Sequence, residues 1–322
     1  MSEQVYRVVQ YGVETTVGTS VPATAKLAVD AATPELDRGS AFGAEDYGRS
    51  IRNHAGRGYH GLRGAQMPFA GDVTFEQIMV FLEAHYQGGV TPTGTDPYTW
   101  VYALEGGAAT RKTLTIEEGV PSSTQDEWEM AGCVVDELTL EYDALAAPGA
   151  QPWRMSGTLL GLNRTVATLT ASLTLPALET VMGHLTILKE GTTATAFASL
   201  TEIAASLVRF SVTTSRSNVR RAYGSTSDVA TGWGQSEKAT GTFEAMLKIS
   251  ATTKSNVLDI WNASGGSLGE RRWRIAAAGS GTKTLTLDFR TGFTNVGIDD
   301  RDGERVYAVS GELVDDDTLA AP

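Results

Sequence analysis

Apolar and polar residues alternate along most of the chain. In LTLEYDA, Leu138, Leu140 and Tyr142 fall on one side of an extended backbone, and Thr139, Glu141 and Asp143 on the other. That period of two predicts a half-buried antiparallel strand, one face on a core and one face wet or in an interface. The same pattern runs through YTWVYAL, RKTLTIEEG and PWRMSGTLLGLN. It returns in SLVRFSVTTS, EKATGTFEAMLKIS, RRWRIAAA, KTLTLDF and RVYAVSGELV, with Gly, Pro or Ser between the segments. A short apolar strand is expected around Met67 to Ala70. Two segments break the period. In TFEQIMVFLEAHY, Phe75, Ile78, Met79 and Leu82 share a helical face, with Asp72 or Thr74 placed to cap the start and Gly88-Gly89 to end it. SNVLDIWNA, followed by Gly265-Gly266, predicts a second helix.

The order of these segments recurs. Each half reads strand, helix, Gly-Gly, then strands ending in Ser-Gly-x-Leu. Leu138, Leu140 and Tyr142 match Leu285, Leu287 and Phe289; Ser156, Gly157 and Leu159 match Ser310, Gly311 and Leu313. A repeat this long is neither a solenoid nor a propeller, whose periods run roughly 20 to 50 residues. The expected fold is mainly β: two tandem β-sandwich or barrel domains, each with one flanking helix. The first is expected over 1–165, with a long N-terminal loop or arm, and the second over 191–322. The low-charge stretch 166–190 is expected to connect them.

Residues 1 to 60 are rich in Gly, Ser, Thr and Ala. The stretch from Arg38 to Arg63 predicts a long loop of the kind usually functional or disordered. Its alternating charges, Asp37, Arg38, Glu45, Asp46, Arg49 and Arg52, would suit pairing across a joint. The formal net charge of −12 argues against a DNA-grasping surface, because phosphate affinity comes from clustered Lys and Arg. It leaves open a wall past which DNA slides. MSEQVYRVVQYG has no basic start leading into an apolar core, and no run reaches the roughly 18 apolar residues of a spanning helix. A soluble chain, intracellular when made, is expected. The single cysteine, Cys133, excludes an intramolecular disulfide and sits in a strand-like run as a small buried hydrophobe.

Candidate chemistry is sparse. His54, His60, His85 and His184 have no metal-site spacing. AAGSGTKTLTL lacks the Gly-Lys pair and following helix of a phosphate loop, so a hairpin turn is expected there. IDDRDGER lacks the first and last ligands of a calcium loop, with Ile298 and Val309 at those places. Asn163-Arg164-Thr165 and Asn262-Ala263-Ser264 match a glycosylation sequon without a secretory route. No Gly-x-Ser-x-Gly elbow is present, and Asp315 to Asp317 read as a solvated tail. Arg271, Arg272 and Arg274 interleave with Trp273, an expected intersubunit contact or charge-guarded strand edge rather than a nucleic-acid platform. No catalytic constellation, cofactor site or metal site is expected.

On four stretches the chain resembles the tail tube proteins of long-tailed bacteriophages, the siphophage major tail proteins. These are GVETTVGTSVPATAKLAV from Gly12 to Val29, the pair YTWVYAL and TLTIEEG, Gly132 to Leu138, and the Ser-Gly strand closing each half. The resemblance implies β-sandwich or barrel domains flanked by a helix, six to a ring, whose inner strands line a pore. A two-domain chain implies a homotrimeric, pseudo-sixfold ring stacked helically into a tube. The implied partners are further copies of itself, the tape measure protein, the tail terminator and tail-tip proteins, and DNA passing through without specific binding. No cofactor and no membrane are implied, and the place is the virion tail, assembled in the host bacterial cytoplasm. Within this frame Arg38, Glu45, Asp46, Arg49 and Arg52 are candidate inter-ring contacts, and Arg271, Arg272, Trp273 and Arg274 candidate intersubunit strand contacts. Other readings are a decoration or tail terminator protein, and a carbohydrate-binding β-sandwich using Trp100, Trp153, Trp233 or Trp273 as stacking platforms.

Overall fold

The computed structural model describes residues 7–31, 33–42, 58–86, 88–95, 98–103, 111–121, 126–145, 151–203, 207–222, 229–235, 239–263, 269–301 and 303–314, with backbone alone at 37–42, 58–60 and 235. Strands β1 (Val8–Val13), β2 (Ala25–Leu27), β3 (Asp30–Ala31), β4 (Glu35–Phe42) and β5 (Gly58–Asp72) precede helix α1 (Ile78–His85). After it come β6 (Leu114–Gly119), β7 (Glu127–Asp143), β8 (Arg154–Gly161) and β9 (Asn163–Val166). The chain continues through β10 (Thr186–Gly191), β11 (Thr201–Glu202), β12 (Leu207–Ser215), β13 (Asn218–Arg221), β14 (Gly232–Gln235) and β15 (Thr240–Lys248). A second helical stretch consists of α2 (Ala251–Thr253), a π turn at Lys254–Leu258 and α3 (Asp259–Ala263). Strands β16 (Glu270–Ala278), β17 (Thr284–Arg301) and β18 (Glu304–Val314) complete it.

The fold is mainly β, and one strand order occurs in it twice. In the N-terminal part, neighbours run β2–β1–β6–β7–β8–β5–β3, with β4 continuing along β5. In the C-terminal part they run β11–β10–β16–β17–β18–β15–β12, with β13 and β14 pairing beyond. All these ladders are antiparallel. The parts are fused where β12 pairs with β7 from Glu137 to Asp143. β10 takes residues 186–190, expected in the connection, into the C-terminal part.

The pairing corrects one sequence equivalence. Leu138 lies opposite Gly157, but the residue opposite Gly311 is Phe293, not Leu285. Leu138, Leu140 and Tyr142 therefore correspond to Phe293, Val296 and Ile298. Alternating Leu and Thr look alike at any even slip; the close approach at the Ser-Gly glycine breaks the degeneracy. A Cβ on Gly157 would overlap the Glu137 carbonyl oxygen, and one on Gly311 would lie 2.8 Å from that of Gly292. Both oxygens belong to the residue just before the one opposite the glycine, beside a β-bulge in each case. One backbone constraint, met twice, explains why the Ser-Gly strand is written twice.

Other expectations shift as well. Met67–Ala70 lies near the end of a 15-residue strand, and of the expected loop from Arg38 to Arg63 the described residues, 38–42 and 58–63, are strand, with Arg38 opposite Arg63. Gly-rich sequence hides strand character because no side chain marks the pleat. The described part of YTWVYAL, residues 98–103, forms no strand; Tyr98, Trp100 and Val101 are exposed, with only an isolated bridge at Thr99. Helix α1 begins after Gln77, and Thr74 Oγ1 accepts from the Gln77 amide at 3.3 Å just before it.

The core is continuous across the fusion. Phe69 stacks on Phe81 of α1 at 4.7 Å, Trp153 meets Phe210 edge-on at 4.8 Å, and Phe243 sits 5.0 Å from Phe289 and 5.4 Å from Trp273. Phe69 and Phe243 occupy the same place in the two strand orders, each two strands from the bulge and opposite the Ser-Gly glycine.

Candidate functional site

Strand alternation places one set of side chains on the core and the other on a wet face. On β8, β7, β12, β15, β18 and β17 the wet face carries Ser156 and Thr158, Thr139, Ser211 and Thr213, Thr242, Ser310, and Asn295. Thr139 and Thr213 share a hydroxyl hydrogen bond of 2.8 Å across the fusion. The carboxylates of Glu137, Glu141, Asp143, Glu244, Asp299 and Glu312 on this face outnumber the cations of Arg154, Arg209, Lys248 and Arg301.

This face is concave. The Arg301 guanidinium on β17 reaches Met246 Sδ at 3.6 Å and the carboxylate of Asp143 on β7. Between β17 and β7 lie β18, β15 and β12, so a flat sheet would separate them by roughly 19 Å at about 4.8 Å per strand. No Arg–Asp pair spans that distance. The contact exists because the sheet coils, with the hydroxyl- and carboxylate-bearing face inside.

The two strand orders differ at one edge. On β7, the edge that holds β6 through Cys133 continues to hold β12 from Glu137 to Asp143. On β17, the same edge holds β16 through Gly292, and the Phe293 amide donates to Gly269 O at 3.0 Å. From Asn295 onward nothing pairs with it among the described residues. Ile298, which corresponds to Tyr142, is 50% exposed, whereas Tyr142 beside β12 is 8% exposed.

Two hairpins project from the strand orders. The first is β4 with the start of β5; the second is β13 with β14, where Gly232 and Trp233 stand as Gly58 and Tyr59 do in the first. The second packs on the N-terminal part. Arg220 donates to Ala65 O at 2.6 Å and Gly161 O at 3.0 Å, and the Trp233 indole donates to Gly132 O at 2.8 Å. Sequence reading missed this hairpin; its signal is a Gly-aromatic pair eleven residues before Phe69 and again before Phe243. Of the candidate inter-ring residues, Arg38 lies in β4, and Glu45, Asp46, Arg49 and Arg52 lie outside the described residues.

The candidates on β16 are engaged within the chain. Trp273 is fully buried, its indole donating to Thr291 Oγ1 at 2.9 Å. Arg271 pairs with Glu190 at 2.5 Å, both buried; burial pushes the Glu190 carboxyl up and the Arg271 charge opposes this. Arg272 donates to Thr195 O and lies over the Phe197 ring. Arg274 holds Asp288 through two hydrogen bonds of 2.7 and 2.6 Å, and its pKa is raised by them. Fully buried Trp273 therefore serves the core. The alternation that marked it as strand could not say which face was covered.

His85, to which the sequence assigned no role, bridges the fusion. Its Nδ1 donates to Val135 O at 3.0 Å, which leaves Nε2 to accept from Thr214 Oγ1 of β12 at 2.8 Å; the Tyr86 hydroxyl then donates to Thr214 Oγ1 at 3.0 Å. Burial lowers its pKa to about 4, so the ring is neutral. Two shallow depressions, about 120 Å³ beside Arg209 and Ser310 and about 250 Å³ beside Trp100 and Tyr102, are smaller than ordinary ligand pockets. No family model matches the chain, and no curated protein matches it.

Proposed function

We propose that this chain is a structural subunit of a self-assembling tube, the tail tube protein of a long-tailed bacteriophage. Each chain supplies two β domains of one design, with α1 flanking the first and the α2–α3 stretch the second. Three chains make a pseudo-sixfold ring, and rings stack helically. The observation that carries the reading is the repeated strand order fused edge to edge through β7 and β12. Closing such an arrangement around an axis removes the sheet edges that otherwise invite uncontrolled pairing.

The concave face supports the conduit role. A wall of Ser and Thr hydroxyls with an excess of carboxylates gives phosphate no row of cations to settle on, so DNA slides past without sticking. On this reading the tape measure protein fills the lumen first, the terminator and tail-tip proteins close the ends, and the tube resides in the virion tail. Negative-stain electron microscopy over a concentration series tests it. Rings or tubes with threefold or pseudo-sixfold end views are expected; monomers at every concentration, also with a tail-tip complex added as initiator, would overturn it.

One observation favours a second reading, a carbohydrate-binding module. Tyr98 and Trp100 are exposed, with ring centroids 6.1 Å apart, beside the depression lined by Glu76 and Glu83. Trp153 and Trp273 are buried and cannot serve as platforms. Retention on a glycan array, abolished by Trp100→Ala, would select this reading.

A further inference from the structure

We propose that the open edge of β17, Asn295 to Asp299, docks a second copy of this chain, which adds its Val29–Ala31 segment as an antiparallel strand. The ring closure this implies rests on the tube reading; the contacts follow from the fusion already present inside one chain.

The β7–β12 joint is the template. Within it, Ser211 pairs with Glu141 and Val212 with Leu140. Val212 is also the residue opposite Phe243 on β15, and Ala31 is the residue opposite Phe69 on β5. Since Phe69 and Phe243 hold one place in the two strand orders, Ala31 stands for Val212, Asp30 for Ser211 and Val29 for Phe210. On the other side, Leu140 and Glu141 pair with Met155 and Arg154, as Val296 and Gly297 pair with Val309 and Ala308. The transferred register puts Ala31 opposite Val296, Asp30 opposite Gly297 and Val29 opposite Ile298.

Both halves of this joint are vacant in the single chain. Among the described residues β3 pairs only with β5, and β17 beyond Phe293 pairs only with β18. Ile298, half-exposed now, would be covered by Val29 as Tyr142 is covered near Phe210, whose ring lies 6.4 Å away. The donating edge belongs to the first strand order and the accepting edge to the second, so the contact is heterologous and propagates head to tail until it closes. The second hairpin already grips the N-terminal part through Arg220 and Trp233, so the first hairpin of the incoming copy is placed to lie over the receiving C-terminal part in the same way.

The test is a disulfide trap in the full chain, Asp30→Cys with Gly297→Cys. Asp30 is exposed and a Cβ at Gly297 meets nothing within 4 Å, so both variants keep the fold; the native Cys133 is buried. Ser211→Cys with Glu141→Cys calibrates the yield of the same register within one chain. Mild oxidation is expected to give interchain species ending at a trimer, in particles that microscopy shows as rings. Ile298→Glu is expected to abolish rings while leaving the monomer's unfolding midpoint unchanged. Rings without the Asp30–Gly297 cross-link, or rings undiminished by Ile298→Glu, would overturn this joint and leave the tube reading standing. Monomers throughout with no interchain cross-link, also with the tail-tip complex added as initiator, would overturn both, and an open-ended cross-linked ladder would keep the joint and overturn the closed trimer.

Discussion

Replacing Gly157 by alanine isolates the constraint that fixes the strand register. In an unstrained strand, Gly→Ala stabilises by about 0.4–1 kcal/mol, because the unfolded chain loses freedom. At Gly157 the new Cβ overlaps the Glu137 carbonyl oxygen and comes within 2.9 Å of Phe69 Cζ, which itself is pinned against Phe81. Backbone cannot give way cheaply beside a bulge, so overpacking of about 1–3 kcal/mol is expected to win. At Gly311 the nearest atom is the Gly292 oxygen at 2.8 Å, and the two effects nearly cancel. At Gly297 nothing lies within 4 Å, and the gain alone remains. Urea unfolding followed by tryptophan fluorescence should rank the midpoints Gly297→Ala highest, then wild type with Gly311→Ala close to it, and Gly157→Ala lowest. Phe69→Leu should recover part of the Gly157→Ala loss. A Gly157→Ala midpoint at or above that of Gly297→Ala would refute the close-approach account of the Ser-Gly repeat.

Other consequences are equally direct. His85 has its folded pKa lowered from 6.5 to about 4, so its contribution is fully present above pH 6.5 and is lost as pH falls toward 4. The difference amounts to about 3 kcal/mol, and His85→Gln should flatten it in urea midpoints measured from pH 7.5 to 4.5. Glu190→Ala strands the buried Arg271 charge and should cost about 3–5 kcal/mol, whereas Arg274→Ala breaks a part-exposed pair worth about 0.2–1 kcal/mol. Equal losses in calorimetry would contradict the burial assigned to these pairs. Changing Glu141, Glu244 and Glu312 together to Lys should leave the fold intact but give salt-dependent binding of a fluorescent DNA duplex by anisotropy, with no such binding expected of the unaltered chain. Equal binding by both would remove the electrostatic reason for an acidic wall.

The longer half-buried strands and both helical segments were legible in the sequence because period two and period 3.6 each leave a mark when one face is buried. RRWRIAAA and KTLTLDF read correctly on that ground. YTWVYAL misled because alternation is necessary for a half-buried strand and does not require one; Tyr98 and Trp100 stand exposed, and Tyr102 is partly buried against the core without strand pairing. The β4–β5 hairpin was hidden by glycines, which carry no face, and β13–β14 by charged and small residues. The slip between Leu285 and Phe293 shows the limit of matching patterns: register is set by backbone proximity at Gly157 and Gly311, which no side-chain pattern encodes. Which carboxylates share the concave face was implicit in the alternation, and became definite once the strand order joined β7 to β17.

That one chain carries both sides of the β7–β12 joint has a consequence for how an assembly could form and diversify. A tethered joint forms at the high effective concentration of a single molecule, so only alternate joints need a bimolecular encounter. It also fixes the stoichiometry of two unlike hairpins at one to one and their arrangement as strictly alternating. Each joint can then be tuned by mutation without altering its neighbours, a freedom denied to a ring built from six identical subunits.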